Sequence, residues 1–156
     1  MLWFALHLRA LPLEGWLPAP GAAPPAPPSK PNGDVSAMQV VIQDRLVVAV
    51  AADALACGVQ VGMNLAAATA LAPELQVWPR NLTAEAALVE RLALALSRYT
   101  PSLVVQPDGV LLEVAASVRL FGGARKLALA VAQTARDCGL QAIAFAAAPT
   151  ACAAAV

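Results

Sequence analysis

The stretch Ser102–Gly123, SLVVQPDGVLLEVAASVRLFGG, constrains the fold more than any other part of the chain. Two apolar runs, Leu103–Val105 and Val110–Leu112, flank Gln106-Pro107-Asp108-Gly109. Strand-forming runs on either side of Asp-Gly are a strong local signal for an antiparallel hairpin. Pro107 has no N–H to give to a ladder and suits a strand end. Asp108 has two readings: a turn residue that tolerates a left-handed backbone, or a carboxylate presented to a cleft. Beyond the second strand, Glu113–Ser117 leads into Val118–Gly123, which reads as a loop opening a helix.

The other segments supply partners for this hairpin. Leu2–Leu8 reads as a buried strand, and Arg9–Trp16 starts a helix that Pro12 and Gly15 limit. Residues 17–34 hold most of the 13 prolines and break all periodicity, which predicts an extended, disordered insertion. Met38–Ile42 and Leu46–Val50 read as strands around a turn at Gln43-Asp44. Ala51–Cys57 is helix-prone, with Gly58 as its left-handed cap. Asn64 is an N-cap for Leu65–Leu71, Pro73 a stop, and Leu75–Trp78 a further short strand.

Thr83–Tyr99 is the clearest helix: Leu88, Leu92, Leu96 and Tyr99 share one stripe, with Glu85 early and Arg98 late to suit the dipole. Ala124–Cys138 is a second amphipathic helix through Leu127, Val131 and Ala135, and Gln141–Ala147 is the last strand. Setting aside Asp34–Trp78 leaves strand, helix, hairpin, helix, strand. That order predicts an α+β, ferredoxin-like (split βαβ) sheet. The units are 1–16 (first strand and helix start), 17–34 (Pro-rich insertion), 35–80 (inserted small subdomain) and 81–156 (helix, hairpin, helix, strand). Such a sheet puts the hairpin tip beside the end of the first strand, where carboxylates from two strands can hold a pair of metal ions.

Composition narrows the function classes. Hydrophobic residues make up 60% of the chain and charged residues 13%, which excludes disorder for most of its length. The formal net charge of zero argues against a self-sufficient nucleic-acid-binding domain, because phosphate neutralisation needs a basic excess. Cys57, Cys138 and Cys152 form no CxxC pair and His7 is the one histidine, so neither a zinc site nor a disulfide framework is supported. Cysteine usage points to a reducing cytoplasm. No apolar run is long enough for a membrane span, and the start of the chain lacks the basic region of a signal peptide.

Several stretches together resemble the amino-terminal part of Y-family (UmuC-like) translesion DNA polymerases. They are Ala54–Met63 (ALACGVQVGM), Leu71-Ala72-Pro73-Glu74-Leu75 and Leu112-Glu113-Val114. Val118–Gly123 (VRLFGG) is similar to the ImuB-type branch in particular. The resemblance implies a ferredoxin-like palm with an inserted fingers subdomain. It implies primer–template DNA as a partner, held weakly by this part of the chain. It also implies an error-prone C-family polymerase, a RecA-like accessory protein and the sliding clamp, bound through regions absent here, with a nucleoid-associated, cytoplasmic setting.

Carried over position by position, the family's metal ligands fall at Ala5, Asp108 and Gly109, of which only Asp108 is acidic. The next acidic position of the first-strand motif is His7, whose imidazole suits softer ions than Mg²⁺. The positions that grip the triphosphate fall at Ala52 and Leu55, the sugar-screening aromatic near Ala10, and the lysine after the last palm strand near Ala151. Glu113 sits where the family often has an acidic residue outside the metal shell. Arg80, Arg91 and Arg98 are candidates for DNA phosphate contacts; solvated helix faces explain them as well.

These departures lead to the expectation of a non-catalytic pseudo-polymerase. It would serve as a scaffold in damage-inducible (SOS) mutagenic translesion synthesis, without a cofactor. Two alternatives stay open: an active error-prone polymerase using Mg²⁺ and deoxynucleotides, and an unrelated ferredoxin-like binding module.

Overall fold

The structure, a computed structural model, describes residues 1–16 and 38–151. The expected Pro-rich insertion at 17–34 and Cys152 lie outside these residues. The described elements run in chain order β1 (Trp3–Leu8), α1 (Leu11–Glu14), β2 (Gln39–Gln43), β3 (Leu46–Val50), α2 (Ala52–Ala56), α3 (Leu65–Leu71) and β4 (Gln76–Pro79). They continue with α4 (Leu82–Leu96), β5 (Leu103–Gln106), β6 (Gly109–Glu113), α5 (Ser117–Leu120), α6 (Ala124–Asp137) and β7 (Ile143–Ala148).

The strands form two sheets. The larger has the order β5-β6-β1-β7, with every neighbour antiparallel, which is the ferredoxin-like arrangement expected from the element order. The smaller, β3-β2-β4, is built from the segment inserted between α1 and α4. Its β2–β3 hairpin turns on Asp44 and Arg45, at φ 50° and 67°. Two successive left-handed residues match the twist of the flanking strands, and Asp is among the residues that tolerate this conformation.

The main core lies between the larger sheet and the helices α4 and α6. Phe4, Leu6 and Leu8 of β1 and Val110 and Leu112 of β6 meet Leu88, Leu92 and Leu96 of α4 and Leu127 and Val131 of α6. The expected stripe of α4 is therefore buried in full. Each fully buried Leu contributes about 2 kcal/mol through area removed from water. The Tyr99 hydroxyl enters this core with partners: it is 2.8 Å from Thr134 Oγ1 and donates to the Ala130 carbonyl at 3.1 Å.

Some local expectations change. Val118–Gly123 is not all loop: Ser117–Leu120 forms the short helix α5, because Val118 and Phe121 donate to the carbonyls of Val114 and Ser117, and Phe121 packs edge-on against Tyr99. Helix α4 stops at Leu96, where Ser97 Oγ donates to the Leu94 carbonyl and Tyr99 N–H closes a tighter turn on Leu96. Arg98 therefore lies past the helix, 5.5 Å from the Tyr99 ring centroid. Strand β7 begins at Ile143, two residues later than expected. The N–H groups of Gln141 and Ala142 donate instead to Glu14 Oε1, at 2.7 and 2.9 Å.

The two sheets meet at α1 and at the start of α4. Leu11 belongs to the main core, while Leu13 and Trp16 pack against Val41, Ala49 and Trp78 of the smaller sheet. Trp16 lies 4.9 Å from Trp78 between ring centroids, and its indole N–H donates to the Pro79 carbonyl. Beside them Arg80 grips Glu85 with a two-pronged bond, Nε and Nη2 each 2.9 Å from a carboxylate oxygen, and its Nη1 donates to Gln43 Oε1 of β2. Glu85, expected only to suit the helix dipole, is thus a buried anion with a fixed partner. The bond to Glu85 holds the Arg80 guanidinium above its ordinary range, burial opposing this. A raised cation is stabilising below its ordinary value and loses that contribution only as pH rises through the raised one, so while Glu85 is ionised Arg80 contributes throughout the neutral range.

Two outcomes are expected in urea unfolding. Leu92→Ala removes a fully buried side chain and lowers stability by about 2–5 kcal/mol. Arg80→Ala leaves Glu85 buried without its cation and costs about 3 kcal/mol, whereas Arg80→Lys restores part of the loss, since lysine lacks the planar fork.

Candidate functional site

The β5–β6 turn folds over the end of β1, where the Leu8 N–H donates to the Asp108 carbonyl at 2.8 Å. An open cavity of 590 Å³ lies at this end of the larger sheet, with Ala5, His7, Arg9, Gln106, Asp108 and Phe145 among its lining residues. In the β1–β6 register His7 stands opposite Gly109 and Ala5 opposite Leu111; across β7, Ala5 faces Ala146. His7 Nδ1 is 3.3 Å from Asp108 Oδ2, and both side chains are more than half exposed. The two groups form an ion pair when the imidazole is protonated, and at this exposure it contributes little to stability.

The structure thus brings together Ala5, His7, Asp108 and Gly109, as the hairpin reading required. Ala151 lies beside them, packed on the cluster of Ala5, Leu111 and Ala148. Ala52 and Leu55 sit elsewhere, three residues apart on exposed positions of α2. Glu113 turns its Oε1 to the Ala115 N–H at 3.2 Å.

The three arginines singled out from sequence are each engaged locally. Arg80 holds Glu85, Arg91 donates to the Cys138 carbonyl at 2.7 Å, and Arg98 covers Tyr99. Burial raises the Cys138 thiol, so it stays protonated and poorly nucleophilic; nearby Arg91 only partly opposes this. Arg9 was missed as a cavity residue. A lone arginine after a strand carries no local signal, and only the return of β6 and β7 to β1 makes it part of a wall.

The donor set at the tip is one carboxylate and one imidazole, and no group of three or more His, Cys, Asp or Glu side chains converges among the described residues. Two hard divalent ions a few ångströms apart need several oxygen ligands. The residues present here do not fit such a pair.

Comparison with known proteins places this geometry. A family model described as the impB/mucB/samB family matches residues 33–156. Among solved structures, a Dbh ternary complex superposes with a TM-score of 0.71 at 17% identity, over 99% of this chain and 44% of that one. An insertion ternary complex of Dbh DNA polymerase gives 0.71 at 19% identity, over 96% and 43%. A DinB family error-prone DNA polymerase from Sulfolobus solfataricus gives 0.67 at 16%, over 96% and 41%. At these identities the likeness is one of fold, and this chain spans less than half the length of each of these structures. No curated protein matches the chain significantly.

Two expectations are corrected by these matches. The chain's departures from the family's acidic positions led to a non-enzyme, but the family and fold it matches are those of DNA polymerases, one of them held in an insertion complex. Nothing in the matches separates off an inactive branch. The expectation of no cofactor falls with it, since polymerases carry out in-line phosphoryl transfer with divalent cations. No described helix is long and apolar enough to cross a membrane. The two-sheet fold as a whole matches the palm and fingers of solved DNA polymerases, and the chain belongs to the impB/mucB/samB family.

Proposed function

We propose that this chain is the palm-and-fingers module of a Y-family protein of translesion DNA synthesis, and that primer–template DNA lies against the palm cavity between β1 and the β5–β6 tip. The observation that carries this reading is the cavity itself. It sits at the end of the ferredoxin-like sheet, beside the expected first-strand and hairpin positions Ala5 and Asp108, in a chain of this family. Arg9, on the cavity wall and exposed, supplies a cation for a backbone phosphate. With a formal net charge of zero the module holds DNA weakly, and most of the affinity comes from the rest of the full-length protein.

A finer assignment to ImuB-type proteins rests on Val118–Gly123, where α5 presents Leu120 at 82% exposure. In that setting the partners are a C-family polymerase, a RecA-like protein and the sliding clamp, in a nucleoid-associated complex. Co-purification of the full-length protein with those partners supports the assignment, and its failure removes it.

Fluorescence anisotropy with a labelled primer–template tests the main reading. The full-length protein binds with an affinity that falls as salt rises, and Arg9→Ala reduces the steepness of that fall by about one unit of slope. Absence of binding at low salt overturns the proposal. Incorporation of a labelled deoxynucleotide by the same protein, in Mg²⁺ and in Mn²⁺, reads directly whether it also transfers nucleotides.

A further inference from the structure

The hairpin tip meets β1 through backbone alone at one point. Gly109 stands opposite His7, and a Cβ built on it would overlap the Leu6 carbonyl oxygen. It would also come within 3.2 Å of the Leu6 carbonyl carbon and 3.3 Å of His7 Cα. All three are main-chain atoms of a strand paired on both sides, so none can swing away as a flexible side chain would. Gly15 provides the contrast. A Cβ there meets the Leu11 carbonyl oxygen at 3.4 Å and Glu85 Cγ at 3.5 Å, in ordinary helical backbone.

We propose that Gly109 is the positioning residue of the palm cavity: its bare Cα lets β6 close onto Leu6 and His7, and that closure holds the Asp108 carboxylate beside the His7 imidazole. Three contacts converge on this short segment. The Leu8 N–H takes the Asp108 carbonyl, Gly109 lies on the Leu6 carbonyl, and Asp108 Oδ2 reaches His7 Nδ1 at 3.3 Å. Any side chain at position 109 pushes the tip away from β1 and opens the His7–Asp108 contact with it. No side chain can be placed at 109 by substitution without moving β1 or β6.

The test uses the full-length protein labelled with ¹⁵N-histidine, the His7 resonances being assigned through His7→Gln. Gly109→Ala is expected to lower Tm by about 5 °C or more, while Gly15→Ala stays within about 1 °C of the parent. Asp108→Asn is expected to displace the His7 ring resonances in the parent protein. In the Gly109→Ala background the same change displaces them much less, a loss of coupling that destabilisation elsewhere in the fold would not produce. A parental Tm for Gly109→Ala overturns the proposal, and so does an equal Asp108→Asn displacement in both backgrounds. Where Gly109→Ala yields no folded protein while Gly15→Ala folds, the steric part stands. The parent's Asp108→Asn displacement then decides the rest, and its absence overturns the proposal. Neither readout involves DNA, so the result is independent of the DNA-binding reading.

Discussion

Strand β1 is hydrogen-bonded on both edges, to β6 and to β7, and its alternation divides the molecule. Phe4, Leu6 and Leu8 enter the helix-covered core, while Ala5 and His7 belong to the opposite side with the cavity. A central strand with both edges satisfied has little freedom to shift, because any slip exchanges its core and open faces. The turn between β5 and β6 inherits that rigidity through the Leu8–Asp108 hydrogen bond. The cavity is therefore as fixed as the sheet that bounds it, although its polar residues are exposed.

A helix of four residues, α1, ties this sheet to the smaller one. Leu11 faces the main core and Leu13 the smaller sheet, while Glu14 holds the backbone leading into β7. Glu14 Oε2 has no partner among the described residues, so the carboxylate is committed through one oxygen. Helices this short have no stability of their own and persist through tertiary contacts. The Trp16–Trp78 stack and the Arg80–Glu85 pair supply those contacts on the other side of the joint. Because the Glu85 carboxylate is buried, its pairing fixes how the two sheets meet more than it adds net stability.

The site shows how substitutions at single positions can mislead. The expectation of a non-enzyme rested on Ala5, Gly109, Ala52 and Leu55 alone, read as positions where the resemblance implies ligands. What a donor set can bind is a local property, fixed by side chains. What family a chain belongs to is carried by a long stretch of it, here residues 33–156, and the fold of the chain matches that of DNA polymerases. The two statements concern different things: the described tip does not fit a pair of hard cations, and the chain is nonetheless a polymerase palm and fingers in fold. At Gly109 the main chain of β1 stands where a Cβ would be.

Much of this protein was legible before any coordinates. The period of α4, the caps at Asn64 and Gly58, and the existence of the β5–β6 hairpin are signals within a few residues, and their order along the chain set the ferredoxin-like sheet. The hairpin itself turns on Pro107 and Asp108, with Gly109 already paired to Gln106 and neither Asp108 nor Gly109 left-handed. Local hydrogen bonding and hydrophobic period depend on near neighbours, so the sequence alone determined them. It did not reveal α5, whose helix is held by Tyr99, or the late start of β7, set by a carboxylate 127 residues away. Nor did it show that Arg80 and Glu85 form a buried pair, that Arg9 joins the cavity, or that Gly109 must be bare. Each of these depends on which backbone atoms and charges arrive from distant parts of the chain. Steric exclusion and desolvation act between neighbours in space, and only the tertiary structure decided who those neighbours are.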